Sequence, residues 1–205
     1  MIDRFKYRED REAYSAARVR ALEALLIKKG IITDKTVDTV LEFFATKMGP
    51  FNGAKIVARA WVDPAFKERL VTNTPQAIAE LDLPAGMAGA EGEHMRAVAN
   101  GSGVHNLIIC TLCSCYPWPV LGLPPYWYKD PTFRSRAARE PRAVLNEFGL
   151  QIANDVEIKV WDSSAQIRWF VIPERPEGTE EMSETELETL VTPEAMMGVA
   201  VSRAT

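Results

Sequence analysis

The chain has 205 residues, of which 47% are hydrophobic and 25% are charged, so it can bury a core as one domain with an appended arm and is neither disordered nor fibrous. Its 24 Lys and Arg residues against 28 Asp and Glu residues give a formal net charge of −4, and neither end carries a basic stripe. This balance argues against nucleic acid or an anionic membrane as a partner.

The first fifty residues predict two amphipathic helices. One covers residues 10–29, with apolar residues at helical spacing, and ends at Gly30, which can adopt the left-handed conformation of a helix end. The second ends at Gly49-Pro50, and its apolar stripe comprises Val37, Val40, Leu41, Phe44 and Met48. Residues 1–50 are therefore expected to form a helical arm. Its apolar faces can pack on each other, on the rest of the chain or on another subunit, and of these we favour a subunit contact.

Residues 51–205 are predicted to form a second domain that begins with helices. A helical pattern covers residues 53–61, and two shorter helices are expected to follow the N-cap residues Asp63 and Thr74, each of which precedes a proline. The small, glycine-rich segment 84–93 predicts a loop that separates these helices from a sheet.

Strands are predicted in the middle of the chain. Residues 105–110 form one strand, and the prolines of segment 117–125 are expected to exclude regular structure after it. Alternating apolar residues predict two further strands, joined by a hairpin turn at Asp162-Ser163-Ser164. Short helices are expected at 141–148, after a capping box of Ser183 and Glu186, and after Thr192. This order indicates an α+β fold with segregated layers and not an alternating parallel α/β fold.

The three cysteines of the chain, Cys110, Cys113 and Cys115, fall within six residues. An odd count cannot close into internal disulfides, and we find no secretory leader or bilayer-spanning apolar run, so a cytoplasmic location is expected. A Cys-x-x-Cys turn lets two thiolates reach one ion, and Cys115 can join them if the backbone folds tightly. A trivalent metal can also displace the amide protons of Ser114 and Cys115. The resulting three sulfurs, two nitrogens and open sixth position suit catalysis better than structure.

The surroundings of this motif supply candidate supporting residues. A loop with three thiolates and two amidates is net anionic, so it needs guanidinium groups nearby where it is partly buried. Trp118 is a candidate wall of an apolar substrate pocket, and Tyr116 is a candidate hydrogen-bond donor in the same pocket. The candidate cations lie in one basic run and comprise Arg134, Arg136, Arg139 and Arg142.

Two other interpretations of the cysteines stay open at the level of the residues. Structural zinc needs a fourth ligand, for which only His94 and His105 are available. A thioredoxin-like redox motif needs a helix N-terminus at the Cys-x-x-Cys, which Pro117 and Pro119 disfavour. Both histidines are expected to be hydrogen-bonded structural groups.

The cysteine motif lies in a longer segment that resembles a known family. Residues 104–125, Val-His-Asn-Leu-Ile-Ile-Cys-Thr-Leu-Cys-Ser-Cys-Tyr-Pro-Trp-Pro-Val-Leu-Gly-Leu-Pro-Pro, closely resemble the metal-binding signature of the nitrile hydratase α subunit. The likeness continues over nearly the whole chain, for example in Trp127-Tyr-Lys and Glu140-Pro-Arg. One departure is Glu91-Gly-Glu93, where the family often has Gln-Gly-Glu. A carboxylate there that pointed at a net-anionic centre would be repelled or protonated.

The resemblance implies a cobalt(III) or iron(III) centre bound by the sulfurs of Cys110, Cys113 and Cys115 and by the backbone amides of Ser114 and Cys115. It further implies that Cys113 is oxidised to a sulfinate and Cys115 to a sulfenate, whereas Cys110 stays a thiolate. Cys113, Ser114 and Cys115 are then the expected catalytic residues.

The same resemblance implies an architecture, partners and a preferred metal. Residues 51–205 are expected to form an α-β-β-α layered domain, and the arm of residues 1–50 to contact a separate β subunit whose arginines hold the oxidised cysteines. A metal-loading activator protein is a further expected partner. Thr111 and Tyr116 match the cobalt-type version of the motif, so cobalt is favoured over iron, with one ion per chain.

The implied reaction adds water to a nitrile to give an amide, with the metal as a Lewis acid. Either the Cys115 sulfenate oxygen or a hydroxide attacks the nitrile carbon, and the sequence does not separate the two. The alternative within the family is the metal subunit of a thiocyanate hydrolase, which has a similar cysteine motif but a basic residue where Trp118 stands. A third hypothesis is a non-catalytic metal-binding protein.

Overall fold

The structure, a computed structural model, describes residues 4–46, 49–81, 83, 94–110 and 115–204. The chain divides into two compact units, residues 1–43 and 44–205, whereas the sequence placed the boundary after residue 50. The glycine-rich segment 84–93 and residues 111–114 of the cysteine motif lie outside the described residues. Among the described helices none is long and apolar enough to cross a membrane.

The N-terminal unit contains the two predicted arm helices, α1 (Arg4–Lys28) and α2 (Asp34–Thr46). Gly30 separates them with a backbone φ of 70°, the left-handed conformation that was expected at this helix end. Several large apolar side chains of this unit are exposed, namely Val19, Leu22, Leu25, Ile31, Val40, Leu41 and Phe43.

The second unit begins with three consecutive helices, α3 (Pro50–Val62), α4 (Pro64–Thr72) and α5 (Thr74–Ala79). Asp63 caps α4 as predicted, because its carboxylate accepts a hydrogen bond from the Phe66 amide at 2.9 Å. The prediction that Thr74 caps α5 is wrong, since the N-cap is Asn73. Thr74 is fully buried, and its hydroxyl donates to the Leu70 carbonyl and accepts from the Ala97 amide, both at 2.8 Å. Its hydroxyl therefore ties the helices to the first strand.

In the described part of the chain, four strands form two parallel pairs: β1 (Met95–Ala99) with β4 (Arg168–Ile172), and β2 (Val104–Cys110) with β3 (Glu157–Ser163). The predicted hairpin at Asp162-Ser163-Ser164 is therefore wrong. Asp162 and Ser163 belong to β3, and a turn in which the Ser164 amide donates to the Ile167 carbonyl at 2.7 Å passes the chain to the other sheet. Alternation identified β3 and β4 correctly, but it carries no information about which strands pair, and β1 was not predicted.

The two sheets form the middle of a layered domain. Helices α4 and α5 pack on β1, and α10 (Pro193–Met197) packs on β4, whereas α7 (Pro131–Arg139) packs on β2 and α8 (Pro141–Glu147) on β3. Strand β4 contacts both β2 and β3 between these helical layers. The predicted α+β class with α-β-β-α layers is confirmed. The capping box of Ser183 and Glu186 at α9 (Glu184–Glu188) and the Thr192 cap of α10 are confirmed as well.

The proline-rich segment after the cysteines contains regular structure, contrary to the prediction. A short helix, α6 (Trp118–Leu121), is followed by a 3₁₀ turn (Tyr126–Lys129). Pro119 lies in the first turn of α6, where a missing amide N–H breaks no helical hydrogen bond. Gly122 then ends α6 with a φ of 71°.

Candidate metal centre

Strand β2 delivers the first cysteine of the motif to a buried position. Cys110 is the last residue of β2 and is 4% exposed, and Cys115 follows the undescribed residues 111–114 and is 0% exposed. These two cysteines form no disulfide with each other. Strand β2 thus ends at the first cysteine of the motif, as its sequence predicted.

Of the four arginines proposed to balance an anionic loop, Arg134 reaches the motif. It projects from α7, which packs on β2, and its Nη1 atom donates to the Cys110 carbonyl at 3.1 Å. The other three bond elsewhere: Arg136 pairs with Glu147, the Arg139 Nε atom donates to the Ser135 carbonyl, and Arg142 donates to the carbonyls of Ile152, Ala153 and Val156. The spacing of the basic run could not distinguish these roles.

Helix α3 fixes the chain that follows Cys115. The Pro119 carbonyl accepts two hydrogen bonds, from the Gly49 amide and from Asn52 Nδ2, each at 3.2 Å. Gly53 lies so close to α6 that a Cβ atom at this position would be 2.4 Å from the Val120 carbonyl oxygen. Contacts with Gly49, Asn52 and Gly53 therefore hold the chain that follows the cysteine motif, and no local sequence pattern predicted them.

The two predicted pocket residues have different surroundings. Trp118 is half-buried at the start of α6, and the Lys129 ammonium lies 5.9 Å from its ring centroid. Tyr116 is 1% exposed, and its hydroxyl donates to the Leu121 carbonyl at 3.5 Å and lies 3.7 Å from Met197 Sδ. Burial raises the pKa of the Tyr116 hydroxyl. These contacts make Tyr116 a packing residue, and its contact with a substrate stays a prediction.

A second tyrosine near the motif was missed by the sequence analysis. Tyr128 is 1% exposed, and its ring meets the Tyr116 ring edge-on at a centroid distance of 5.0 Å. Burial raises the pKa of Tyr128 well above its ordinary value, and Cys110 and Tyr116 raise it further. Its contact with Tyr116 depends on how the segment after the cysteines folds back on itself, which no local sequence pattern shows.

The histidines are structural, as predicted. His105 is buried, with its Nε2 atom 2.7 Å from the Gly198 carbonyl and its Nδ1 atom 3.3 Å from Asn100 Nδ2. It lies five residues before Cys110 on β2, roughly 16 Å away at the rise of a strand. His94 Nδ1 lies 3.2 Å from the Gln166 carbonyl. A zinc site made of three cysteines and His105 is therefore excluded.

The comparisons with known proteins cover almost the whole chain. A profile of the family described as nitrile hydratase, alpha chain, matches residues 13–200. The chain belongs to the nitrile hydratase α-chain family. It is 53% identical over 186 residues to the low-molecular weight cobalt-containing nitrile hydratase subunit alpha of Rhodococcus rhodochrous, covering 91% of this chain and 88% of that one.

Two further relatives support this family assignment. A cobalt-containing nitrile hydratase subunit alpha of Pseudonocardia thermophila is 51% identical over 189 residues, covering 92% of this chain and 91% of that one. A solved double mutant of the Fe-type nitrile hydratase from Comamonas testosteroni Ni1 matches with a TM-score of 0.81 and 38% identity, over 94% of this chain and 92% of that one. Family and layered fold are therefore shown together.

The alternative within the family is more distant. The gamma subunit of thiocyanate hydrolase from Thiobacillus thioparus is 36% identical over 190 residues, covering 89% of this chain and 78% of that one. The relatives of 51% and 53% identity are subunits of nitrile hydratases, so this chain is an enzyme subunit, and the hypothesis of a non-catalytic metal-binding protein finds no support.

The residues present fit a metal that prefers sulfur. Cys110 and Cys115 are buried, and the carbonyl of Cys110 accepts a hydrogen bond from Arg134, a cation of the kind that a net-anionic ligand set requires. Within the described part of this nitrile hydratase α chain no three His, Cys, Asp or Glu side chains converge, since Cys113 and Ser114 lie outside it. The described chain thus shows the two ends of the predicted ligand loop.

Proposed function

We propose that this chain is the metal-bearing α subunit of a nitrile hydratase, which adds water to nitriles to give amides. The observation that carries the proposal is the burial of Cys110 and Cys115 at the end of β2, in a chain that matches the nitrile hydratase α family over residues 13–200. The thiocyanate hydrolase hypothesis is weaker because that relative is less similar than the nitrile hydratases and because Trp118 stands where a basic residue is expected.

The proposed ligands are the sulfurs of Cys110, Cys113 and Cys115 and the backbone amides of Ser114 and Cys115. Cobalt(III) is favoured over iron(III) by Thr111 and Tyr116 in the motif and by the cobalt-containing relatives. When bound, the trivalent ion supplies Lewis-acid chemistry toward a nitrile nitrogen. Oxidation of Cys113 to a sulfinate and of Cys115 to a sulfenate belongs to the proposal.

The chain's own residues hold this loop in place. Cys110 is fixed by the β2–β3 ladder, and its carbonyl is fixed by Arg134, so the first sulfur sits on a rigid element. Beyond Cys115, the bonds from Gly49 and Asn52 to the Pro119 carbonyl hold the other end. Clamping both ends limits the positions the loop can adopt, which is what precise ligand geometry requires.

The proposed substrate pocket lies on the Trp118 side of the loop. A half-buried indole offers apolar area to the organic part of a nitrile. Tyr116 contributes to this pocket by positioning the backbone next to Cys115, in addition to its predicted contact with substrate.

The proposed partners are a β subunit and an activator protein that loads the metal. The exposed apolar side chains of the arm, including Leu22, Leu25 and Leu41, form a surface that a β subunit would cover. The β subunit is also expected to provide further cations for the oxidised cysteines. A cytoplasmic location is part of this proposal, since thiols awaiting controlled oxidation need a reducing compartment.

The test is to produce the chain with a nitrile hydratase β subunit and an activator in medium containing cobalt or iron. We expect one trivalent ion per α chain, mass increases of two oxygens on Cys113 and one on Cys115, and conversion of acrylonitrile or benzonitrile to the amide. Turnover of thiocyanate alone would refute the nitrile assignment. Bound zinc with unmodified cysteines would refute the catalytic centre.

A further inference from the structure

Lys129 places a positive charge on the aromatic wall of the proposed substrate pocket. Its ammonium lies 5.9 Å from the centroid of the Trp118 ring, within the range of a cation–π contact. Trp118 follows Cys115 by three residues and is half-buried, whereas Lys129 is exposed. The indole next to the cysteine motif thus carries a cation that solvent, and therefore a ligand, can reach.

The backbone on both sides of Lys129 is fixed by the 3₁₀ turn that this residue ends. The Tyr128 amide donates to the Pro125 carbonyl, and the Asp130 amide donates to the Trp127 carbonyl, both at 3.1 Å. The side chain of Tyr128, which precedes the lysine, is 1% exposed and anchors the turn in the core. Lys129 therefore extends from a fixed base, and its cation stays within reach of the indole.

The ammonium of Lys129 has no carboxylate partner in the part of the chain that the structure describes, since none of the salt bridges there includes it. The adjacent carboxylate, that of Asp130, accepts a hydrogen bond from the Thr132 amide at 2.7 Å and caps α7. A carboxylate at this position interacts with the positive end of the helix dipole. The Trp118 edge of the proposed pocket is therefore electropositive.

We propose that Lys129 is a specificity-determining residue that raises activity toward nitriles with a carboxylate at the end opposite the nitrile group and lowers it toward cationic nitriles. This inference rests on the proposed function, because it needs the nitrile group at the metal and the rest of the substrate against Trp118. In that orientation the ammonium attracts an anionic substituent and repels a cationic one. The substrate class that this charge favours is the cyano-carboxylates.

The test uses the metal-loaded complex of the full chain with its β subunit and three substrates of one shape. These are 4-cyanobenzoate, 4-cyanobenzamide and 4-cyanobenzamidine, which are anionic, neutral and cationic at neutral pH. In Lys129→Met, which keeps the apolar stem, we expect kcat/KM relative to the benzamide to fall about fivefold for the benzoate and to rise about fivefold for the benzamidine, as expected for one unit charge in a partly solvated site. Most of the change should lie in KM, because the charge acts on binding.

Product binding gives the same information without turnover. The three amide products keep the charged or neutral group, so their dissociation constants, measured by calorimetry, should show the same changes in Lys129→Met. A wild-type complex that hydrates acrylonitrile but does not bind the anionic product would contradict the proposal. A wild-type complex that hydrates no nitrile would instead refute the proposed function.

Two further variants separate the charge of Lys129 from other effects. Lys129→Arg keeps the charge and should keep the wild-type ratio of benzoate to benzamidine. Lys67→Met is the matched control, because it removes one positive charge from α4, which packs on β1, and it should leave the ratio at the wild-type value. An unchanged ratio in metal-loaded Lys129→Met, or an equal change in Lys67→Met, would overturn the inference.

Ionic strength distinguishes an electrostatic role of Lys129 from a structural one. Between about 0.1 and 1 M salt the screening length falls from about 10 to 3 Å, so the difference in ratio between the wild type and Lys129→Met should shrink toward zero. A difference that stays the same at both salt concentrations would show that the lysine acts through packing on Trp118, and the proposal would then be wrong.

Discussion

The two ends of strand β2 carry buried polar clusters of opposite character. At its start, His105, Asn100 and Asn106 bond to one another, to the Gly198 carbonyl and to the Trp161 indole N–H at distances of 2.7–3.3 Å. At its end, Cys110 and its register partner Ser163 are equally buried, but they offer a thiol and a hydroxyl where the start of the strand offers amides and an imidazole. A cluster whose amides bond one another can stabilise the fold, whereas a buried thiol is suited to hold a metal.

The strongest test of this contrast is Cys115→Ala, in the motif that follows β2. The change removes a proposed metal ligand and the proposed sulfenate, so we expect nitrile hydration to be abolished and metal content to be lost. Metal analysis and an amide-release assay on the complex with the β subunit measure both. Turnover by a metal-loaded Cys115→Ala complex would show that this cysteine is not part of the centre.

At the other end of the strand, Asn106→Ala should affect stability and not chemistry. The Asn106 amide donates to Asn100 Oδ1 and to the Ala99 carbonyl and accepts from the Trp161 indole, so its loss leaves buried groups unpaired. We expect a loss of about 2–3 kcal/mol in the free energy of unfolding, measured by denaturant titration. The exposed Asn146→Ala is the control, and equal losses in both variants would contradict a special role for the cluster.

Arg134 tests the contribution of one side chain at the end of β2 that carries Cys110. Arg134→Lys keeps the charge but loses the planar group that bonds the Cys110 carbonyl, so we expect metal affinity to fall by about tenfold. Metal competition with a chelator during loading gives this number directly. Arg69→Lys, which alters an exposed ion pair with Glu80, serves as the matched control and should load metal as the wild type does. If Arg134→Lys bound the metal with wild-type affinity, the guanidinium would have no role at the metal centre.

Features that depend on residues close together in the sequence were mostly predicted correctly, and features that depend on residues far apart were not. Helix ends such as Asp63 and Ser183 were predicted correctly because a cap depends on residues three positions apart. The hairpin was wrong because strand pairing is decided by layers formed elsewhere in the chain. The cysteine motif was visible because its ligands are adjacent in sequence. The neighbour Ser163 was not, because only the β2–β3 register brings it beside Cys110.

The smallest expected effect concerns pH at the start of β2. Burial lowers the pKa of His105, and the Gly198 carbonyl and Glu174 offset this only in part. The folded protein therefore binds this proton less readily than the unfolded chain does. The stability it provides is full above the ordinary histidine pKa of about 6.5 and is lost as the pH falls from there through the lowered value.

His105→Gln tests this dependence, since a glutamine amide can still donate to the Gly198 carbonyl but does not titrate. Unfolding free energies measured at about pH 7.5 and 5.5 should fall more for the wild type than for the variant. All other titrating groups are shared by the two proteins, so the difference between the slopes belongs to His105. An equal change of the unfolding free energy with pH in the two proteins would mean that the cluster accepts a charged imidazole. The start of β2 would then be more accessible to water than its hydrogen bonds imply.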